Sequence, residues 1–294
     1  LDYSPTSLNI LAHCVRLLVP GFTVRLHRWT PRGRNSKLLS MNRFRTDTHF
    51  HIDQARAPKR VLQAAERAGI RLAAPSMNPD SYAEIRRLQA AHPQALQWVG
   101  IGLHPEREYP DAEFLRACRL VEQADVVGEV GLPYYDRVVT RADVDRFATF
   151  CRLAAEHNKP MMIHAVHDVA YMALDFLCEY AVKRAVFHWL KADVDTIDAI
   201  VDAGYFISIT PEVTYRERDM QLLKRIPLTQ IVLETDGPYA HGGPYAGLET
   251  VPDWIDEAAR VVADHYGLSW ENWWRQHEIN VERLFGVPSR SHEA

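Results

Sequence analysis

Eight short runs rich in β-branched and apolar residues recur along this chain, and no other feature restricts its fold so tightly. They are RTDTHFHI (45–52), IRLAAPS (70–76), LQWVGIGL (96–103), VVGEVGL (126–132), PMMIHA (160–165), AVFHWL (185–190), YFISI (205–209) and IVLETD (231–236). Amphipathic stretches of helical period separate them, among them 59–69, 80–92, 111–124 and 143–158. In the last, Phe147, Phe150, Cys151, Ala154 and Ala155 form one apolar stripe, the spacing of a helix packed on one face. Strands that alternate with helices form a parallel sheet, and eight is the number that closes a (β/α)8 TIM-type barrel. A doubly wound open sheet is the competing α/β arrangement, but the first run ends in HID and no glycine-rich turn follows it. The segments 251–267 and 269–285 supply closing helices. No linker or internal repeat divides residues 41–294, so these are expected to form a single barrel domain.

The first forty residues differ from the rest. They carry Arg16, Arg25, Arg28, Arg32, Arg34 and Lys37 against one acid, Asp2. Two readings stand: an Arg-rich targeting segment, or upstream sequence preceding a start at Met41. On either, residues 1–40 are an extension expected to be poorly ordered or outside the native protein, without part in chemistry. The net charge of −4 announces no globally basic surface for nucleic acid, so any such contact is local. Cys14, Cys118, Cys151 and Cys178 are scattered without a C-x-x-C pair, which fits a reducing compartment such as the cytoplasm. No apolar run is long enough to span a bilayer, so no membrane partner is expected.

The polar residues gather at one end of the predicted strands. His49 and His51 are two apart in the first run, and side chains two apart on a strand project from the same face. With 14 histidines in the chain, that pair alone proves little. Glu129 lies near the end of the fourth run, His164 near the end of the fifth, His188 in the sixth and Asp236 at the end of the eighth. Singly, each has an ordinary alternative: a hydrogen-bonded core histidine, a structural salt bridge, a turn aspartate. A barrel brings all of these strand ends to one mouth, where its active sites lie. Four imidazoles and two carboxylates suit zinc, manganese or a related divalent ion. Six ligands exceed one tetrahedral site, so two ions sharing a carboxylate is the economical arrangement.

These residues carry a resemblance. DTHFHID (47–53), GLHPE (102–106), GEVGL (128–132) followed by Tyr134 and Tyr135, MIHAVHD (162–168), FHWLKAD (187–193), LETDGPY (233–239) and NVERLFG (280–286) resemble, in order, the motifs of the TatD family of metal-dependent hydrolases. The resemblance implies an amidohydrolase-like barrel with two divalent metals (Zn, Mn or Mg) and hydrolysis, several members being DNases that act from the 3′ end. It further implies that His49, His51, Glu129 and Asp236 hold one metal. Glu129, His164 and His188 would hold the other, with Asp236 as general base and His104 beside the substrate.

The chain departs from that pattern where substrate would be met. Pro133 stands where an aspartate is usual, and Ala165, Val166 and His167 replace a Ser-Arg pair. Trp189, Leu190 and Lys191 replace a small, flexible turn. Substrate contacts are therefore expected from other residues: Tyr134 or Trp189 stacking on a base, His167 in place of the missing pair, and phosphate contacts from Arg107, Arg137, Lys191, Arg216 or Arg218. The leading reading is a two-metal phosphodiesterase or deoxyribonuclease acting on DNA ends. A hydrolase of a small-molecule ester, amide or lactone is the alternative, and a non-catalytic metal-binding protein the third. The sequence leaves oligomeric state open.

Overall fold

The computed structural model describes residues 44–287, which belong to one compact unit. The extension expected over residues 1–40, Met41 and the last seven residues lie outside the described part. Eight parallel strands follow chain order around a barrel: β1 (Arg45–Asp47), β2 (Ile70–Pro75), β3 (Leu96–Ile101), β4 (Val126–Gly131), β5 (Met161–His164), β6 (Ala185–Phe187), β7 (Phe206–Ile209) and β8 (Ile231–Leu233). Helices α1 (Pro58–Ala68), α2 (Pro79–Ala91), α3 (Asp111–Leu120), α4 (Arg141–Glu156), α5 (Asp168–Glu179), α6 (Val194–Asp202) and α7 (Glu217–Leu223) connect them. Helices α8 (Ile255–His265) and α9 (Trp270–Phe285) complete the domain. None is long and apolar enough to cross a membrane.

Local sequence accounts for many boundaries. Helix α1 stops at Gly69, whose φ of 67° is open to a residue without Cβ, as its placement in the sequence suggests. Asn78 with Ser81, and Thr140 with Asp143, form capping boxes that satisfy the first N–H groups of α2 and α4. The expected stripe of α4 is present, with Phe147, Phe150, Cys151 and Ala154 buried against the barrel. Each large apolar side chain buried this fully stabilises the fold by about 1.5–3 kcal/mol.

Parity along the strands divides the core in two. Leu72, Ala74, Val127 and Ile163 belong to the large cluster that the surrounding helices cover. Ala73, Trp98, Val126, Met162, Val186, Phe206 and Val232, of alternate parity, form a separate cluster with Val281, Leu284 and Phe285 of α9. The last helix thus closes the N-terminal end of the barrel, leaving the opposite mouth for polar side chains. Continuing the inward parity reaches His164 two residues after Met162, His188 after Val186, and Glu234 and Asp236 after Val232.

All eight strands are shorter than the runs in the sequence, and three of them stop at least three residues early. The first regular strand ends at Asp47, the sixth at Phe187 and the eighth at Leu233, so His49, His51, His188 and Asp236 follow strands instead of lying within them. The reason at the first and eighth is barrel closure. Thr48 N–H donates to Leu233 O (2.9 Å), Asp236 N–H to His49 O (3.0 Å) and His51 N–H to Gly237 O (2.7 Å), a pattern too irregular to count as a ladder. A single parallel bridge, Phe50 to Gly237, completes the seam. Asp47 locks it: its carboxylate accepts the Thr235 hydroxyl (2.6 Å) and the Thr235 N–H (3.0 Å).

Candidate metal centre

Glu129 is the centre of the site, fully buried at the mouth of β4. Strict alternation from Val126 would turn Gly128 inward and Glu129 outward. The register between β4 and β5 slips between Val127 and Val130, and that irregularity re-aims the carboxylate into the barrel. The neighbouring glycines make room. A Cβ on Gly131 would stand 1.8 Å from the His164 carbonyl oxygen, and one on Gly102 2.1 Å from that of Glu129.

The two carboxylate oxygens of Glu129 face different groups. Oε2 lies 3.3 Å from His49 Nε2 and 3.0 Å from His51 Nε2. Asp236 Oδ1 completes that group, 3.5 Å from His49 Nε2 and 3.6 Å from His51 Nε2. Oε1 lies 2.8 Å from both His164 Nδ1 and His188 Nε2, which are 3.3 Å from each other. All six residues singled out in the sequence therefore meet in one place.

The donor set fits divalent cations. Ligands about 2.1 Å from a tetrahedral ion lie about 3.4 Å apart, close to the separations in the first group. Glu129 Oε2 and Asp236 Oδ1 are buried without a hydrogen-bond partner. Burial raises the Asp236 carboxyl to about 7 against the pull of His188 and His51. A cation is what such a group lacks. Burial also works against the charge on Glu129, but His188, His104 and His164 outweigh it and hold the carboxyl well below the usual range. His49, His51 and Glu129 place their ligand atoms within 4.8 Å of one another, as do His49, His188 and Asp236, and also Glu129 and His164 together with His104.

A second layer orients the ligands, and the sequence did not single it out. Glu106 Oε1 lies 3.1 Å from His164 Nε2, the ring nitrogen turned away from Glu129. The same carboxylate accepts the backbone N–H groups of Tyr134, Tyr135 and Asp136 at 2.7–3.0 Å. Burial opposes its charge, but the bonds from His164 and these N–H groups lower the Glu106 carboxyl to about 2. Glu234, also fully buried, sits 3.5 Å from His188 Nδ1 and accepts the Trp189 N–H at 2.7 Å. A carboxylate behind a ligating histidine fixes the ring and raises its basicity.

The remaining candidates divide. His104 lies beside the centre, its Nε2 3.7 Å from Glu129 Oε1. Its Nδ1 accepts the Glu106 N–H, so Nε2 carries the proton, and burial pushes the imidazole down to about 3, leaving it neutral. A cleft of about 740 Å³ opens over the centre, lined by His104, His167, Trp189 and Tyr135 among others. Tyr134 is not among its lining residues; that ring packs on His167 at 4.6 Å between centroids, and Tyr135 occupies the wall instead. Arg107, Lys191, Arg216 and Arg218 line the cleft. Arg137 does not, because its guanidinium pairs with Asp143 at the start of α4 and donates to Pro105 O.

The comparisons agree with this architecture. The family described as TatD related DNase matches residues 46–286. An uncharacterized metal-dependent hydrolase of Haemophilus influenzae is 28% identical over 209 residues, 67% of this chain and 82% of its own. The uncharacterized metal-dependent hydrolase TatD of Mycobacterium tuberculosis is 29% identical over 239 residues, 74% and 89% of the two chains. Among solved structures, the TatD homolog YjjV of Escherichia coli superposes with a TM-score of 0.73 at 21% identity, covering 84% of this chain and 99% of that one. A TatD family hydrolase of Entamoeba histolytica gives 0.69 at 17% identity, covering 84% and 100%, and both likenesses show the shared fold. With nearly the whole barrel matched, the chain belongs to the TatD family of metal-dependent hydrolases.

Proposed function

We propose that this chain is a two-metal phosphodiesterase that hydrolyses DNA ends. The observation that supports it is the division of the Glu129 carboxylate, one oxygen toward His49 and His51 and the other toward His164 and His188. On this reading His49, His51, Glu129 and Asp236 hold one cation, and Glu129, His164 and His188 the other. The four imidazoles favour zinc or manganese over magnesium, which prefers oxygen donors. When bound, such a pair lowers the pKa of a water and neutralises charge developing on a phosphoryl oxygen.

The chain's own groups carry the rest. Asp236 stands at the cleft side of the first group, where its carboxylate accepts the proton of the attacking water. His104 offers a neutral Nε2–H beside Glu129, a donor for an oxygen of the substrate. Glu106 and Glu234 hold the rings of His164 and His188 so that neither turns during the reaction.

One observation favours the second reading, a small-molecule ester or lactone. Much of the positive charge in the cleft is already spent, since Arg216 and Arg218 both pair with Glu212. Assays of the full chain, stripped of metal and reloaded with zinc, manganese or magnesium, separate the two. The proposal expects shortening of end-labelled oligonucleotides and its loss in Asp236→Asn. Clear turnover of esters or lactones with no oligonucleotide cleavage under any metal overturns it.

A further inference from the structure

Among the described residues lining the cleft, Lys191 is the cation both held in place and not spent. Arg216 and Arg218 are paired with Glu212, and Arg218 also with Asp219. Among the described residues Lys191 makes no ion pair, and Arg107, which makes none either, is an exposed side chain with no partner shown to fix it. Lys191 is fixed from two sides. Its ammonium donates to the Tyr135 hydroxyl at 2.9 Å and lies 4.4 Å from the centre of the Trp189 ring and 5.3 Å from that of Tyr135. An ammonium has three donors, so two remain for a ligand.

The backbone that carries it is equally constrained. Trp189 adopts φ 39°, and its N–H is shared between Ser208 Oγ (3.0 Å) and Glu234 Oε1 (2.7 Å). The Lys191 carbonyl accepts the His167 N–H. This short segment leaves the barrel at His188, one of the six residues of the centre, and Lys191 and Asp236 line the same cleft. A charge anchored three residues from His188 keeps a set position relative to the centre. Because its site is half-buried, its attraction for an anion is less screened than at the surface.

We propose that Lys191, over the Trp189 ring, is a subsite for a second, non-scissile phosphate of the substrate. It is a specificity-determining residue that selects substrates bearing an anion beside the bond that is cut. This rests on the phosphodiesterase reading and adds to it: the enzyme acts on a polyanionic chain in preference to an isolated phosphodiester. The Trp189 face offers a stacking surface for the base between the two phosphates.

Binding tests this separately from turnover. Calorimetry on the zinc- or manganese-loaded full chain compares thymidine 5′-phosphate, with one phosphate, and thymidine 3′,5′-bisphosphate, with two. The second phosphate is expected to tighten binding about tenfold or more, the scale of one charged hydrogen bond. Lys191→Gln is expected to abolish that increment while leaving monophosphate affinity and metal content unchanged, and Lys191→Arg to keep most of it. An undiminished increment in Lys191→Gln, or none in the unaltered protein, overturns the proposal. Failure of oligonucleotide cleavage with the increment intact would instead count against the phosphodiesterase reading and leave the subsite standing.

Discussion

Glu106 Oε1 sits 3.1 Å from His164 Nε2, opposite the nitrogen that faces Glu129. That contact joins two loops of the mouth, because Glu106 also gathers the N–H groups of Tyr134, Tyr135 and Asp136. One carboxylate thus orients a ligand and shapes a wall of the cleft.

Glu106→Ala is therefore expected to weaken metal binding at the His164–His188 group by about tenfold to a hundredfold, the usual effect of removing such a partner. Binding at the His49–His51 group should change less. Stepwise metal titration of the full chain by calorimetry checks this, and an equal loss at both groups would argue against the assigned role.

Gly131→Ala is expected to destabilise the barrel by about 3 kcal/mol, at the upper range for overpacking. The added Cβ would meet the His164 carbonyl, a backbone atom that cannot swing aside. Urea unfolding reads the change, and metal content should fall with it because β4 and β5 carry Glu129 and His164.

Beneath the barrel, Glu278 of α9 pairs with Arg71 of β2, accepts the Thr46 hydroxyl at 2.9 Å and faces His277 Nδ1 at 3.3 Å. Burial opposes the Glu278 charge, but His277, Arg71 and Thr46 outweigh it and lower its pKa. A carboxyl lowered in the folded state adds stability above its unfolded value, about 4.3, and loses it as pH falls through the folded value. Glu278→Gln is expected to cost about 2 kcal/mol at pH 7, between the values for an exposed and a fully buried pair, since both side chains are partly buried. The gap from the unaltered protein should close at acid pH, which urea unfolding across a pH series checks.

The alternation of strands and helices is local and periodic, so the barrel could be read from it. His49 and His51 keep the same parity even though the ladder ends at Asp47, so their convergence does not depend on the strand's length. Glu129 stands out in the sequence because a carboxylate in an apolar run needs a partner. Its aim depends on a register slip against β5 that no local pattern records. Glu106 and Glu234 lie inside GLHPE and LETDGPY, but nothing local marks their role: each acts through a residue 58 or 46 positions away in the chain, and only closure of the barrel brings them together. Arg137 and Tyr134 looked available in the sequence because their partners, Asp143 and His167, are chosen by loop geometry.

A Glu129 carboxylate shared between two ligand groups requires two ions in one centre, and metal stoichiometry measures that most directly. The full chain reloaded with zinc or manganese and freed of excess is expected to hold two ions per chain by elemental analysis. Glu129→Gln, still folded by circular dichroism, is expected to hold fewer than one. No bound metal after reloading, or two ions retained by Glu129→Gln, would contradict it.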